Sequence, residues 1–482
     1  MAEQAEDPTL PLAATSGDSR APAAHEPPSS QPSTIRLFNS PAFFRLWTAQ
    51  VVSSLGDWLG FVAVTAIAAR IGGKSPEAAI SLVLSARLVP GFFLGPIAGV
   101  LVDRWDRRRV MVACDIGRGL VLATIPFVEH LGVLVAASLL LEVMTLLWGP
   151  AKEASVPNLV RPEFLANANS LSLVASYGTF PIGSALFTVL AEVAKWLGHY
   201  HALHVLRVSQ ESIAIYVDVV TFFCSAAIIS TLTLSRDHVR SGPAGEADEP
   251  SRASFNETVR QLREGWSFIG SNPRVKAVIF GLGTGLVGGG MVVPLGPIFS
   301  RSVGAGTAGF GAFITALGFG VAIGIVTLSL TQRHLPHERV FVAALLAAGP
   351  CIILGASVAT LLPAVLCVGG LGLCAGAVYI IGYTILQTNV EDELRGRTFA
   401  TLYTMTRLCL LAAFTLAPVL SRLLDSLSAR LVSGHVDVFG LRVDVPGVRL
   451  TLWLGGLIIL LAGAWAYRPL WHANADTTTA EP

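Results

Sequence analysis

Residues 79–128 read AISLVLSARLVPGFFLGPIAGVLVDRWDRRRVMVACDIGRGLVLATIPFV and place two apolar stretches on either side of one basic loop. The first stretch, 79–102, contains Arg87 as its single charge. The hydrocarbon core of a bilayer is about 30 Å thick, and a helix rises about 1.5 Å per residue, so about 20 apolar residues cross it. This part of the sequence therefore predicts two membrane-spanning helices joined by a short charged loop.

The same pattern recurs along the chain of 482 residues, of which 52% are hydrophobic and only 13% are charged. Soluble domains carry roughly 25% charged residues. The apolar stretches lack the alternation of barrel strands, so strands are excluded. We predict an all-α membrane protein with 12 transmembrane helices in two six-helix pseudo-repeat bundles. The predicted spans are 44–69, 79–102, 109–128, 132–152, 171–196, 212–234, 275–299, 307–331, 339–359, 362–389, 398–424 and 450–468.

The polar segments divide the chain into five parts. Residues 1–40 are rich in Ala, Pro, Ser, Glu and Asp, which predicts a disordered cytoplasmic tail. Within the linker, Val259, Leu262, Trp266 and Ile269 recur at the spacing of one helix face, which predicts an amphipathic helix on the membrane surface. The expected parts are the tail 1–40, a bundle 41–235, the cytoplasmic linker 236–273, a bundle 274–470 and a cytoplasmic tail 471–482.

Two further patterns concern symmetry and orientation. The loop VRPEFLANAN after span four and the loop VEDELRGRTF after span ten are similar, which supports two equivalent halves.

Lys and Arg are more frequent in the loops that share a side with the N-terminus. Because cytoplasmic loops carry the excess of positive charge, both termini are expected in the cytoplasm.

The loop GVLVDRWDRRRVM, Gly99–Met111, resembles the signature loop of the major facilitator superfamily, roughly G-x-L-x-D-R-x-G-R-R. Asp106 stands where that family usually has Gly. The resemblance implies a latch that holds the cytoplasmic side together in the outward-facing state. A basic loop alone would only set the topology. The positions that match are Gly99, Leu101, Asp103, Arg104, Arg107 and Arg108.

Within that superfamily, four segments are similar to bacterial exporters of the enterobactin and macrolide efflux branch. The segments are FRLWTAQVVSSLGDWL, PNLVRPEFLANANSL, REGWSFIGSNPRV and DELRGRTF. The second-half counterpart of the signature loop, TQRHLPHERV, has lost its Asp. The resemblance implies alternating access and proton-coupled efflux of a small amphipathic molecule, drug-like or siderophore-like, across the inner (plasma) membrane. It implies no cofactor beyond the proton gradient, and we expect a monomer in the lipid bilayer.

Carboxyl groups inside the bilayer are candidate functional residues, because an ionisable side chain at mid-membrane costs roughly 2.5–3.5 kcal/mol on insertion scales. Asp57 lies midway along span one. It could make a packing hydrogen bond, or it could take up protons or contact a cationic substrate. Glu142, near the middle of span four, is the second candidate for proton handling. Removal from water favours the protonated form of a carboxyl, as proton coupling requires.

Deep cations form the other half of this candidate site. Arg87 in span two and Arg407 in span eleven could be counter-ions for Asp57 or Glu142, or could bind an anionic substrate. Asp115 and Arg118 are three residues apart, so they can pair on one helix face. We place this pair near the cytoplasmic end of span three, in the network of the latch.

Other functions need features that the sequence lacks. A membrane protease or acyltransferase needs paired catalytic carboxylates or a nucleophile with a histidine, and no HExxH or GxSxG occurs. His199, His201 and His204 favour a solvated loop over a metal site, and no metal is expected. A net charge of +1 gives no reason to expect nucleic acid. An importer or uniporter of a small metabolite remains an alternative, as does a membrane sensor or scaffold that transports nothing.

Overall fold

The computed structural model describes most of the membrane-spanning part of the chain. The described residues are 38, 40–103, 105–161, 164–197, 210–232, 270–331, 335–390, 392–432, 435–438, 441–444 and 446–471. The expected tail 1–40, most of the linker 236–273 with its amphipathic helix, and the tail 471–482 fall almost entirely outside them. His199, His201 and His204 also lie outside them.

The first half of the chain folds into six spans. Span five is built from two helices in succession, and short 3-10 turns, Ile125–Phe127 and Val156–Asn158, continue spans three and four. Spans one to six are Pro41–Ile71, Pro76–Asp103, Arg107–Thr124, Leu131–Ser155, Leu165–Tyr177 with Phe180–Leu197, and Gln210–Ser230.

The second half repeats this arrangement, with span seven divided into two helices at Met291. All 12 spans are long and apolar enough to cross a membrane, which confirms the predicted fold class. A short antiparallel hairpin, His435–Val438 with Leu441–Asp444, precedes span twelve and was not predicted. Spans seven to twelve are Pro273–Gly290 with Val292–Ser302, Gly306–Thr331, His337–Ser357, Leu361–Asn389, Asp392–Val432 and Gly447–Trp471.

Polar side chains define where several spans begin. The Ser40 hydroxyl accepts a hydrogen bond from the Phe43 backbone N–H at 3.3 Å, at the start of span one. The Asp106 carboxylate accepts one from the Arg109 backbone N–H at 3.1 Å, at the start of span three. Both satisfy N–H groups that have no partner inside the helix. Asp106, the departure from the signature loop, is therefore the N-cap of span three.

The spans pack mostly within their own half, and the same pairs recur in both halves. In the first half, span six packs along spans one and three, and span two packs along span four. In the second half, span twelve packs along spans seven and nine, and span eight packs along span ten. This correspondence is the structural form of the pseudo-repeat expected from the two similar loops.

The halves meet through span five against span eight and span two against span eleven. We call the membrane face where span one begins and span twelve ends the terminal face, and the opposite one the far face. Span five approaches span eight closely in its far-face part, since a methyl group on Gly311 would come within 2.5 Å of Thr188 Oγ1. Arg422 Nε lies 3.1 Å from Glu77 Oε1, where span eleven nears the far face and span two leaves it. Toward the terminal face, Tyr177 and Tyr403 between the halves are exposed.

The pair Glu77–Arg422 should favour closure of the far face. Because the Arg422 side chain is 52% exposed, the pair is worth about 0.2–1 kcal/mol. We expect Arg422→Gln to shift the population a few-fold toward far-face opening, measured by electron–electron distances between spin labels on Lys74 and Ser426. The swap Glu77→Arg with Arg422→Glu should restore the wild-type distances. Unchanged distances in Arg422→Gln would show that the pair does not contribute to closure.

Candidate functional site

Arg118 is the centre of a group of charged side chains inside the first half. Its side chain is only 2% exposed and forms an ion pair with Asp115, one turn earlier on span three. Arg118 Nη1 also lies 3.7 Å from Asp57 Oδ2 of span one. The guanidinium carbon lies 4.3 Å from the ring centre of Phe222 and 5.4 Å from that of Trp148. Carboxylates and aromatic faces therefore surround this cation, as a buried guanidinium requires.

Asp115 connects span three to span six. It is fully buried, and its Oδ2 accepts a hydrogen bond from Ser225 Oγ at 2.7 Å. Its other oxygen, Oδ1, faces Arg118. The pairing of Asp115 and Arg118 that we expected from their spacing is thus present. Their described partners, Asp57 and Ser225, lie inside the bundle, so their assignment to the latch stays a prediction.

Asp57 lies at the boundary between this charged interior and more open space. Its side chain is 35% exposed, whereas that of Arg118 is almost completely buried. A carboxyl in that position can contact a buried cation and remain accessible. This is the geometry that a proton-exchanging group needs.

Asp218 of span six is a member of the cluster that our sequence reasoning missed. It is 1% exposed and lines a small cavity of about 10 Å³ together with Asp57, Arg87 and Arg118. The signal was available, because Asp218 is the one charge within IAIYVDVVTFF. It is the same signal that identified Asp57, a lone carboxyl in an apolar span.

Two glycines of span one make room for Asp218. A methyl group on Gly56 would overlap Asp218 Oδ1 and Thr221 Oγ1, and one on Gly60 would overlap Asp218 Oδ2. Thr221 Oγ1 lies 3.3 Å from Asp218 Oδ1 and donates to the Asp218 carbonyl oxygen at 2.7 Å. The carboxyl of span six therefore lies directly against the backbone of span one, one residue from Asp57.

Glu142 and Arg87 extend the cluster toward spans four and two. Arg87 lines the cavity with Asp218, and Glu142 is half-buried. Arg87, Arg407 and Asp57 all act electrostatically on Glu142. Of the four residues that we selected as the proton or substrate cavity, Asp57, Arg87 and Arg407 thus lie within electrostatic reach of Glu142.

Arg407 brings a cation from the second half to this cluster. Its Nη1 donates a hydrogen bond to the Gly91 carbonyl oxygen of span two at 3.2 Å. A methyl group on Gly91 would come within 2.8 Å of the same nitrogen. Arg407 therefore joins the halves near the middle of spans two and eleven.

The described part of the signature loop holds the terminal-face ends of the first half together. Arg107 Nη1 donates to the Ala154 carbonyl oxygen at 2.7 Å, and Arg108 Nη1 donates to that of Leu232 at 3.1 Å. Gly99 and Asp103 are in the helix of span two, but the Asp103 side chain and all of Arg104 lie outside the described residues. The latch therefore remains a prediction for Gly99, Asp103, Arg104, Arg107 and Arg108.

Four tyrosines form a surface between the halves, which we call the tyrosine wall: Tyr177, Tyr379, Tyr383 and Tyr403. The rings of Tyr379 and Tyr383 lie 4.5 Å apart between centres, and the Tyr383 hydroxyl interacts with Tyr379 and Tyr403. Tyr177 of the first half is 65% exposed and interacts electrostatically with Tyr379 and Tyr403 of the second. The wall offers aromatic faces and hydroxyl groups together, which suits an amphipathic molecule.

Comparison with known proteins places this geometry in a family. The family model described as Major Facilitator Superfamily matches residues 46–414. The chain is 25% identical over 410 residues to the uncharacterized MFS-type transporter YfiS of Bacillus subtilis, covering 82% of this chain and 90% of that protein. It is 24% identical over 376 residues to macrolide efflux protein A of Streptococcus pyogenes, covering 74% and 84%.

Solved structures show the same fold. A bacterial homolog of the human lysosomal transporter Spinster, in an inward-facing and unoccupied conformation, has a TM-score of 0.67. The match covers 89% of this chain and 98% of that one, at 14% sequence identity.

Arg118→Met should destabilise the protein by about 3–5 kcal/mol, because it leaves the buried Asp115 carboxylate without its cation. The midpoint of thermal unfolding in detergent measures this effect. As a control, Arg109→Met removes a cation that is 74% exposed and should leave the midpoint nearly unchanged. Adding Asp115→Asn to Arg118→Met should recover part of the loss. Equal midpoints for Arg118→Met and Arg109→Met would contradict this account of the cluster.

Proposed function

Because the chain belongs to the major facilitator superfamily, it is a multi-pass membrane transporter and not an enzyme, and we propose that it exports a small amphipathic molecule in exchange for protons. The observation that carries this proposal is the position of Asp57, which is 35% exposed yet 3.7 Å from the buried Arg118. A carboxyl at such a boundary can exchange a proton with the space between the halves. It can also alter the charge balance inside the first half when it does so.

The contacts between the halves support alternating access. Gly311 beside Thr188 and the pair Glu77–Arg422 join the halves toward the far face, and Arg407 joins them near the middle. We propose that both termini are cytoplasmic and that the protein resides in the plasma membrane. On that orientation the terminal face is the inner side, and this conformation receives substrate from the cytoplasm. Rocking of the bundles would separate the far-face contacts and release substrate outside.

Proton exchange at Asp57 would be communicated through Arg118. While Asp57 is ionised, it shares this cation with Asp115. Protonation of Asp57 removes one of these attractions, and in a low-dielectric interior such a change is large compared with the same change in water. We assign Glu142 as the second proton-handling carboxyl, with Arg87 and Arg407 setting the charge around it.

The tyrosine wall supports an amphipathic substrate. Tyr177 and Tyr403 come from opposite halves, and each exposes more than half of its surface. Aromatic faces bind apolar rings, and the hydroxyl groups at their edges bind polar substituents. The similarity to a macrolide efflux protein favours export of a drug-like compound. A growth-inhibition and accumulation screen with the gene present and absent would identify the compound.

Asp57→Asn should abolish transport driven by a pH gradient, because an amide cannot take up and release the proton. The measurement is flux of the macrolide erythromycin, or of a compound found by the screen, in lipid vesicles with an imposed pH gradient. Exchange of substrate at equal pH should persist in this variant, which shows that it still folds and binds. The control is Asp425→Asn, at the far-face part of span eleven, where an amide oxygen can still accept from the Gly447 N–H.

Gradient-driven flux in Asp57→Asn equal to that of the wild type would refute the role of Asp57. Absence of any response to the gradient in the wild type would refute proton coupling itself. Net uptake into cells that carry the gene would favour the importer over the exporter.

A further inference from the structure

We propose that Asp218 holds a proton in the conformation described here and that this proton is exchanged with Asp57 during transport. The inference rests on the proposed function, since it adds a second and deeper proton-binding residue to the same site. Asp218 is not part of the signature loop, and it was not among the residues selected from the sequence.

Asp218 is buried and forms no ion pair among the described residues. Its side chain is 1% exposed. In the part of the chain that the structure describes, the ion pairs of this cluster join Arg118 to Asp57 and to Asp115, and none includes Asp218. An ionised carboxylate that is removed from water needs a paired cation, whereas the neutral acid needs only ordinary hydrogen bonds. The surroundings of Asp218 therefore suit the protonated form.

The balance of charge around Asp218 also favours its protonated form. The cavity is lined by the carboxyls of Asp57 and Asp218 and by the guanidinium groups of Arg87 and Arg118, and Arg118 is also paired with the Asp115 carboxyl. The acids exceed the bases by one. One protonated acid makes this group neutral, and among the described residues Asp218 is the acid of the group that forms no ion pair and lies against Thr221 and the glycines of span one.

The cavity provides a route by which the proton can move between Asp57 and Asp218. Asp57 and Asp218 line the same cavity of about 10 Å³, which is about the volume that one water molecule needs. Asp57 is partly exposed, whereas Asp218 is enclosed. One water between them could relay a proton from the accessible carboxyl to the enclosed one. In this step the O–H bond of the Asp57 acid breaks and one forms on Asp218, so that charge and atoms balance.

The charged lining of the cavity favours a proton over a metal cation. Span one contributes Asp57, span two contributes Arg87, and span three contributes Arg118, which forms an ion pair with Asp115. Spans four and five place no charged side chain of the described residues on this cavity. Two guanidinium groups would repel a sodium ion, and the space is too small for the several oxygen ligands that such an ion takes.

Loss of the proton from Asp218 would also change how spans one and six pack together. The Asp218 oxygens lie against Gly56 and Gly60 with no room for even a methyl group between them. An ionised Asp218 would be drawn toward Arg87 or Arg118 across the cavity, and such a displacement moves span six relative to span one. The contact between these spans could therefore link protonation to movement of helices in the first half.

The test is an infrared measurement on protein in lipid at neutral pH, with the aspartate carboxyl carbons labelled with carbon-13. Wild-type protein should show the carbonyl band of a protonated aspartic acid, and Asp218→Asn should lose it. Asp57→Asn and the control Asp425→Asn should keep it. Absence of the band in the wild type, or its persistence in Asp218→Asn, would overturn the proposal.

A second variant covers the case in which Asp218→Asn does not fold. Thr221→Val removes the hydroxyl beside Asp218 Oδ1 with little change in shape. The aspartic-acid band should shift in frequency in this variant if the proton is on Asp218, and an unshifted band would place the proton elsewhere. Addition of sodium chloride should leave the band unchanged, and loss of the band with sodium would identify a cation site instead.

Vesicle flux separates this proposal from the proposed function. With erythromycin as the probe, Asp218→Asn should lose its response to a pH gradient while exchange at equal pH continues. If the wild type responds to the gradient and Asp218→Asn responds equally, the role of Asp218 in exchange is wrong and proton-coupled transport stands. If the wild type does not respond, proton coupling is wrong, and the infrared result still decides whether Asp218 is protonated.

Discussion

The structure of the first half depends on one constraint, the need to surround Arg118 after it has left water. A buried guanidinium is stable only with carboxylates or aromatic faces around it. Asp115 and Asp57 supply the charge, and Phe222 and Trp148 supply the rings. These partners come from spans one, three, four and six. The packing of the bundle and the chemistry of its interior are therefore set by the same contacts.

Hydropathy alone predicts the architecture, because a helix must satisfy its own backbone in lipid and about 20 apolar residues cross the bilayer. It also identifies Asp57 and Glu142, since charges are rare within spans. Hydropathy does not predict which of these charged residues lie in contact. Span three begins at Arg107, so Arg118 lies about 16 Å along its axis, near the middle of the span. We expected this residue near the end of the span, and its contact with Asp57 depends on packing that a single sequence does not encode locally.

The two halves have the same packing pattern and different chemistry. In the first half, Asp57, Asp115 and Asp218 gather around Arg118. The second half brings Arg407 to mid-membrane and contributes three residues of the tyrosine wall. The repeat in the fold thus extends to helix packing and not to the residues in the interior. This difference agrees with the loss of Asp from the second copy of the signature loop.

The tyrosine wall lies apart from the ion pairs of Arg118, and this separation affects how the protein can change in evolution. On spans ten and eleven, Tyr383 interacts with Tyr379 and Tyr403. Replacement of any of them reshapes the surface between the halves and leaves the ion pairs of Arg118 untouched. Mutations can therefore change substrate selectivity without changing energy coupling. A lineage exposed to new toxic compounds could diversify one without rebuilding the other.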